Sequence, residues 1–278
     1  MTTATVMPIA PPSPVPTTRP LQLARHHRFE VMGTVVTIDA YADPAQPSKH
    51  IESHIARACR VLAQADEVFS TWKPNSPMSR LRRNELGLDQ VPAVVAQVLA
   101  ECRQVRELTD GWFDPWSLPG GVDPTGYVKG WAAARALDQL KVPGVAAAVV
   151  NAAGDIASFV ADPLAHPPFH FGILDPADTT QLACVVEYAG AVATSGTYER
   201  GQHLFNPRTR RLTALNASAT VTGPDLGVAD ALATALAIGA QPVLELLESI
   251  PEYEALIITE SGNHITTAHF PLLELHLS

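Results

Sequence analysis

Charge is scarce in this 278-residue chain. Asp, Glu, Lys and Arg make up only 17% of it, yet acids outnumber bases and leave a net charge of −9. A surface of that sign repels a nucleic-acid backbone, whose phosphates need a basic face, so nucleic acid is excluded as the main partner. An anionic small molecule is not excluded, provided a metal, backbone amides or a few Arg and Lys meet it locally. Cysteine is scarcer still. Cys59, Cys102 and Cys184 are odd in number, far apart and without a C-x-x-C pair, which argues against a disulfide scaffold or a zinc knuckle. Each falls within a helical or strand-like pattern, where a buried thiol is the ordinary reading. There is no H-E-x-x-H helix motif and no G-x-S-x-G elbow, so neither a zinc protease nor a serine hydrolase is indicated. No apolar run is long enough to cross a bilayer, and the Pro- and Thr-rich segment Met1–Pro20 has no uninterrupted apolar core of a signal peptide. The expectation is a disordered tail over residues 1–28, one ordered domain over 29–278, and a soluble, cytoplasmic protein with no membrane span.

Hydrophobic residues are 46% of the chain, enough for a sizeable core. The β-branched run from Phe29 to Ile38 reads as a strand, with Gly33 as a bulge or a close backbone approach. Apolar positions at helical spacing predict helices over 50–69, 92–108, 128–140 and 228–239. The second of these stops at Thr109-Asp110-Gly111, where glycine caps it. Short β-like runs lie at 146–150, 170–174, 182–186, 191–194, 219–222 and 255–259. Antiparallel-looking hairpins beside separate long helices place the chain in the α+β class.

Several short segments carry chemistry. In Ala229-Asp230-Ala231-Leu232-Ala233-Thr234-Ala235, Asp230 and Thr234 are four apart, so a carboxylate and a hydroxyl share one helix face and can reach one cation; an all-oxygen donor set suits Mg²⁺. The same pair serves equally as a helix-dipole complement and a back-bonded threonine. Asp123-Pro124-Thr125-Gly126-Tyr127-Val128-Lys129-Gly130 leads into a helix and offers amides and a lysine to an anion, though a plain turn and helix start explain it too. Asn151-Ala152-Ala153-Gly154-Asp155 ends a strand and lines a cleft or merely turns the chain. The turn at Thr194-Ser195-Gly196, with His203 and Arg208 soon after, resembles a phosphate-handling surface. Trp72, in the loop Ser70–Pro77, offers either a flat apolar face to a ligand or an anchor for its own loop.

Taken in order, these segments resemble the ApbE family, the FAD:protein FMN transferases, from Val31 to Gly239. The matching marks are Met32-Gly33-Thr34, Ser70–Ser76, Thr109–Pro115, the Asp123–Gly130 run, Gly154-Asp155, Thr194-Ser195-Gly196, His203 with Pro207-Arg208-Thr209, and Ala229–Ala235. The resemblance implies a single α+β, T-fold-like domain of mixed, largely antiparallel sheets with packed helices. It implies FAD contacts at Met32, Trp72, Trp112, Phe113, Asp114, Asp123, Lys129, Ser195 and His203, and Mg²⁺ held by Asp230, Thr234 and the Gly126 carbonyl. It further implies transfer of FMN from FAD to a Ser or Thr of an acceptor flavoprotein, with AMP released and His203 as base.

The chain departs from the family pattern in several places, among them the Asp123–Gly130 run, which keeps only the Asp, one Gly and the Lys-Gly of D-L-G-G-I-A-K-G. Only Trp116–Val122 separates Pro115 from Asp123, where the family has a long insert. Asn206 stands for an Asp, Arg210 for a Gly, and Ala153 for the first of two glycines. Two alternatives use the same residues: an FAD pyrophosphatase, with water in place of the hydroxyl, and a non-catalytic flavin-binding protein.

Overall fold

The computed structural model describes residues 21–43, 50–196, 204–212 and 217–273. The expected tail lies mostly outside the described residues, as does His203.

The first element corrects the sequence reading. Strand β1 (Gln22–Val31) and strand β2 (Thr34–Ala42) are two arms of a hairpin, not one strand with a bulge. Met32 and Gly33 form the turn, with φ of +54° and +69°. A two-residue turn with both φ positive matches the right-handed twist of the flanking strands, and glycine at its second position removes half the conformational cost.

Helices α1 (Ile51–Phe69), α2 (Pro77–Arg82), α3 (Ala93–Leu108) and α4 (Thr125–Asp138) come next. Strands β3 (Val145–Ala152), β4 (Asp155–Val160), β5 (Phe169–Leu174), β6 (Leu182–Tyr188) and β7 (Ala191–Gly196) follow. After the short pair β8 (Phe205–Asn206) and β9 (Arg211–Leu212), the chain forms β10 (Ser218–Gly223), α5 (Leu226–Gly239), α6 (Gln241–Leu247), β11 (Glu254–Ile258) and β12 (His264–Thr266). Helix α2 was not expected; Ser76 caps it by accepting from the Ser79 amide, and Pro77 occupies its first turn.

One eight-stranded sheet, ordered β1-β2-β3-β4-β7-β10-β11-β12 and antiparallel throughout, organises the molecule. Alternation along its strands sorts side chains to two faces. Ala191, Ala193, Ala255 and Ile257 join the main core with α1, α4 and α5. Their neighbours Val192, Leu256 and Ile258 point the other way, into a smaller cluster with Ile173 and Val186 of the β5–β6 hairpin and with Phe270. The α+β assignment therefore holds, with helices packed on an antiparallel sheet. Among the described residues, no helix is long and apolar enough to cross a membrane.

Helix α5 is buried almost all round, and its alanines let neighbours come close. Its start is fixed by Asp225, whose side chain accepts from the Val228 amide at 2.9 Å. Helix α4 crosses it at Gly130, where a Cβ would stand 2.3 Å from the Leu226 carbonyl oxygen. Only glycine permits that approach, and the approach sets Gly126 and Lys129 of α4 beside Asp230 and Thr234 of α5.

Candidate active site

A cleft of about 590 Å³ opens above this helix crossing. Its floor holds Gly126, Lys129, Asp230 and Thr234 together with Thr194 and Ser195 of β7. Asp230 is buried and accepts a hydrogen bond from the Gly130 amide at 3.2 Å. The helical spacing of Asp230 and Thr234 does put both on the cleft side, and Thr234 Oγ1 sits 3.4 Å from Ser195 Oγ. Gly126 fits closely here too: a Cβ on it would come 3.4 Å from Thr234 Oγ1 and 3.5 Å from the Phe113 ring.

Beneath the floor lies Asp155, the first residue of β4 and fully buried. Its Oδ2 is 2.7 Å from Lys129 Nζ, and its Oδ1 accepts from the Thr194 amide at 3.3 Å. Burial raises its carboxyl above the ordinary aspartate range, against the pull of Lys129, the Thr194 amide and a hydrogen bond with Asp230.

The walls and rim come from loops. Phe113 is buried, its amide held by Thr109 Oγ1 at 3.1 Å. Trp112 carries the Arg208 guanidinium over its ring at 4.1 Å, and Arg208 also donates to the Asp110 carboxylate at 2.7 Å. Asp114 and Asp123 line the cleft, but their carboxylates are engaged. Asp114 accepts from the Trp116 amide and pairs with Arg106 at 2.9 Å. Asp123 accepts from the Thr125 amide and pairs with Arg82 at 2.7 Å. Arg82 also donates to the carbonyls of Pro119 and Gly120, fastening the short segment between Pro115 and Asp123.

Trp72 is 92% exposed at the cleft mouth, which removes the reading of it as a loop-anchoring core residue. The anchoring of that loop is done by Ser70, whose Oγ accepts from the Lys73 amide, and by Ser79, which donates to the Ser70 carbonyl.

One comparison decides the family. The sequence model of the ApbE family matches residues 32–120 and 117–257, most of the chain. The chain belongs to the ApbE family. It is therefore an enzyme of the flavin-transferase kind. Its fold is similar to the flavin transferase ApbE from Vibrio cholerae (TM-score 0.76, 20% identity, over 91% of this chain and 100% of that one). It is similar also to the ApbE protein of Thermotoga maritima (0.72, 21%, 88% and 97%) and to the apo flavinyl transferase ApbE of Pseudomonas stutzeri (0.70, 23%, 90% and 96%). No curated protein matches the sequence.

Three departures from the ApbE pattern leave their turns in place. Arg210 and Ala153, which stand where the family has glycine, adopt φ of +56° and +52°. Asn206, in place of Asp, still accepts from the amides of Arg208 and Thr209, so the turn survives the change.

The cleft thus brings together Met32, Trp72, Trp112, Phe113, Asp114, Asp123, Lys129 and Ser195 with Gly126, Asp230 and Thr234. His203 alone of the expected residues lies outside the described ones. Arg82 was missed by sequence reasoning, and Asp155 was noted without a role. Among the described residues, no three His, Cys, Asp or Glu side chains gather at one point. Any cation here would rest on one carboxylate supplemented by hydroxyl and carbonyl oxygens, a donor set that suits Mg²⁺, which keeps waters and takes substrate phosphates as further ligands.

Proposed function

We propose that this ApbE-family enzyme transfers the FMN half of FAD to a Ser or Thr hydroxyl of an acceptor protein and releases AMP. The observation that supports it most is the pairing of an oxygen-lined, partly buried floor with an exposed tryptophan at the mouth of the same cleft. Such a cleft can take a charged pyrophosphate at depth and a flat ring system above it.

In this reading Trp72 and Trp112 meet the flavin, while Lys129 and the hydroxyl of Ser195 face the pyrophosphate. An ammonium has three donors, so Lys129 can keep Asp155 and still reach a phosphate oxygen. Asp230, Thr234 and the Gly126 carbonyl would hold Mg²⁺, which when bound supplies charge neutralisation on the phosphates. The acceptor hydroxyl attacks the phosphorus on the FMN side. The bond from that phosphorus to the bridging oxygen breaks, AMP leaves with the oxygen, and the hydroxyl proton passes to His203. Positioning and charge neutralisation account for most of such a transfer.

The test is incubation with FAD, Mg²⁺ and a candidate acceptor, followed by mass spectrometry of the acceptor. A gain equal to FMN less water supports transfer. Free FMN and AMP with an unmodified acceptor, across a panel of acceptors, would establish the pyrophosphatase reading instead. Bound but unconsumed FAD would establish a flavin-binding protein. His203→Ala should cost about 10²–10⁴ in rate while FAD still binds.

A further inference from the structure

Asp155 touches the floor of the cleft from beneath but is not among the residues that line it. It is fully buried, at the centre of the eight-stranded sheet, directly after the Ala153-Gly154 turn. Three of its neighbours do line the cleft. Lys129 Nζ stands 2.7 Å from Oδ2 and the Thr194 amide donates to Oδ1 at 3.3 Å, and the Asp230 carboxylate takes the amide of Gly130, the residue after Lys129 on α4. These residues come from α4, β7 and α5. A buried carboxylate is tolerated when it is paired and hydrogen-bonded, and the side chain that does the pairing is then fixed as firmly as the carboxylate itself.

We propose that Asp155 is a positioning residue that fixes the Lys129 ammonium and the Asp230 carboxylate relative to one another, so that Asp230 is kept for a divalent cation. The inference rests on the reading of Asp230 given under the proposed function. Asp155 meets neither flavin nor cation; it acts through the two residues that do. Without its charge, Lys129 is left with Asp230 as its carboxylate on that floor, and an ammonium paired there competes with the metal. Outer partners of metal-binding side chains commonly change metal affinity by about 10–100-fold when removed.

The experiment measures Mn²⁺ binding to the FAD-free protein by the loss of the free-ion EPR signal, with Mg²⁺ competition and circular dichroism to confirm folding. D155N should bind Mn²⁺ about 10–100-fold more weakly than wild type. D155N/K129M should recover most of that loss, because the competing ammonium is gone; a residue of purely structural importance would show no such rescue. A folded D155N that binds Mn²⁺ as wild type does overturns the proposal, and so does a double variant no better than the single one. Should D155N fail to fold, the double variant D155N/K129M decides against wild type: with neither the ammonium nor its buried partner present, its Mn²⁺ binding should stay within a few-fold of wild type, and a loss of tenfold or more overturns the proposal. Wild-type protein that binds no Mn²⁺ overturns the metal reading and this proposal with it, a result distinct from a variant that matches a binding wild type.

Discussion

The floor of the cleft and its rim are built on opposite plans. On the floor Asp230 and Thr194 are buried, Asp155 is buried beneath them, and helices α4 and α5 touch backbone to backbone at Gly130. At the rim, Trp72 is 92% exposed, and Arg208 and Asp110 pair across open surface. The floor is completed by folding itself, since none of its contacts waits for a ligand. The rim has its chain path fixed and its best apolar surface unspent. A change on the floor should therefore move chemistry and stability together, whereas a change at the rim should move binding alone.

The comparison breaks most readily at Gly130. A methyl group there would meet the Leu226 carbonyl at 2.3 Å, backbone against backbone, with no flexible side chain to yield. Gly130→Ala should cost about 3 kcal/mol, read as a thermal midpoint lowered by roughly 6–12 °C, with metal-dependent activity lost in parallel. A wild-type midpoint would show that the helices do not need this approach. Asp230→Ala is of similar size in rate: losing about 3 kcal/mol of charge stabilisation is about a hundredfold in flavin transfer. Full activity in that variant would remove the metal from the mechanism.

The rim should respond differently. Trp72→Ala removes a ring that touches water, so the melting midpoint should stay within about a degree of wild type. The apparent KM for FAD should rise by about tenfold, the scale of a stacked aromatic contact of roughly 0.5–1.5 kcal/mol, and Trp72→Phe should recover most of it. A destabilised Trp72→Ala with unchanged KM would reverse the assignment of this residue to the ligand.

This division also explains what could be read from the residues in advance. Asp230 and Thr234 were legible because helical spacing fixes which residues share a face, and α5 is a regular helix. Helices α1 and α3 were legible for the same reason. The Met32-Gly33 turn was not, because a β-branched run reads alike whether it continues or folds back; the deciding fact, positive φ at a methionine, leaves no trace in composition. Asp155 was visible only as an acidic residue after a turn, and its burial depends on Lys129 of a distant helix and Thr194 of a distant strand. Arg82 carried no signal at all, since its partners Asp123, Pro119 and Gly120 meet it only once the short segment folds down. Trp72 was ambiguous for a converse reason: a loop tryptophan reads the same inward or outward.

Cys102 offers a smaller check on the core beneath the site. Burial pushes its thiol up to about 12 from an ordinary value of 9.0. The folded pKa is raised, so its contribution to stability is intact below pH 9 and falls away as pH climbs toward 12, at no more than about 1.4 kcal/mol per pH unit. Cys102→Ala should flatten the decline in denaturation midpoint over that window, and an unaltered slope would place the alkaline sensitivity elsewhere.

The finest test lies in two turn positions where this chain has lost a family glycine. Ala153, in the β3–β4 turn under the floor, and Arg210, in the β8–β9 turn at the rim, both hold a left-handed backbone that disfavours a Cβ by about 1–2 kcal/mol. Glycine relieves that strain but gives back part of the gain through the freer unfolded chain, so a net of roughly 0.5–1 kcal/mol is expected at either site. Where the gain appears should differ. The β3–β4 turn joins central strands of the eight-stranded sheet and unfolds only with the whole, so Ala153→Gly should raise the melting midpoint by about 2 °C. The β8–β9 pair forms a two-stranded sheet of its own and can open while the core stays folded. Arg210→Gly should therefore slow amide exchange in residues 205–212 and leave the midpoint where it was. Equal shifts in midpoint from both variants would show that the rim hairpin is part of the same cooperative unit as the floor.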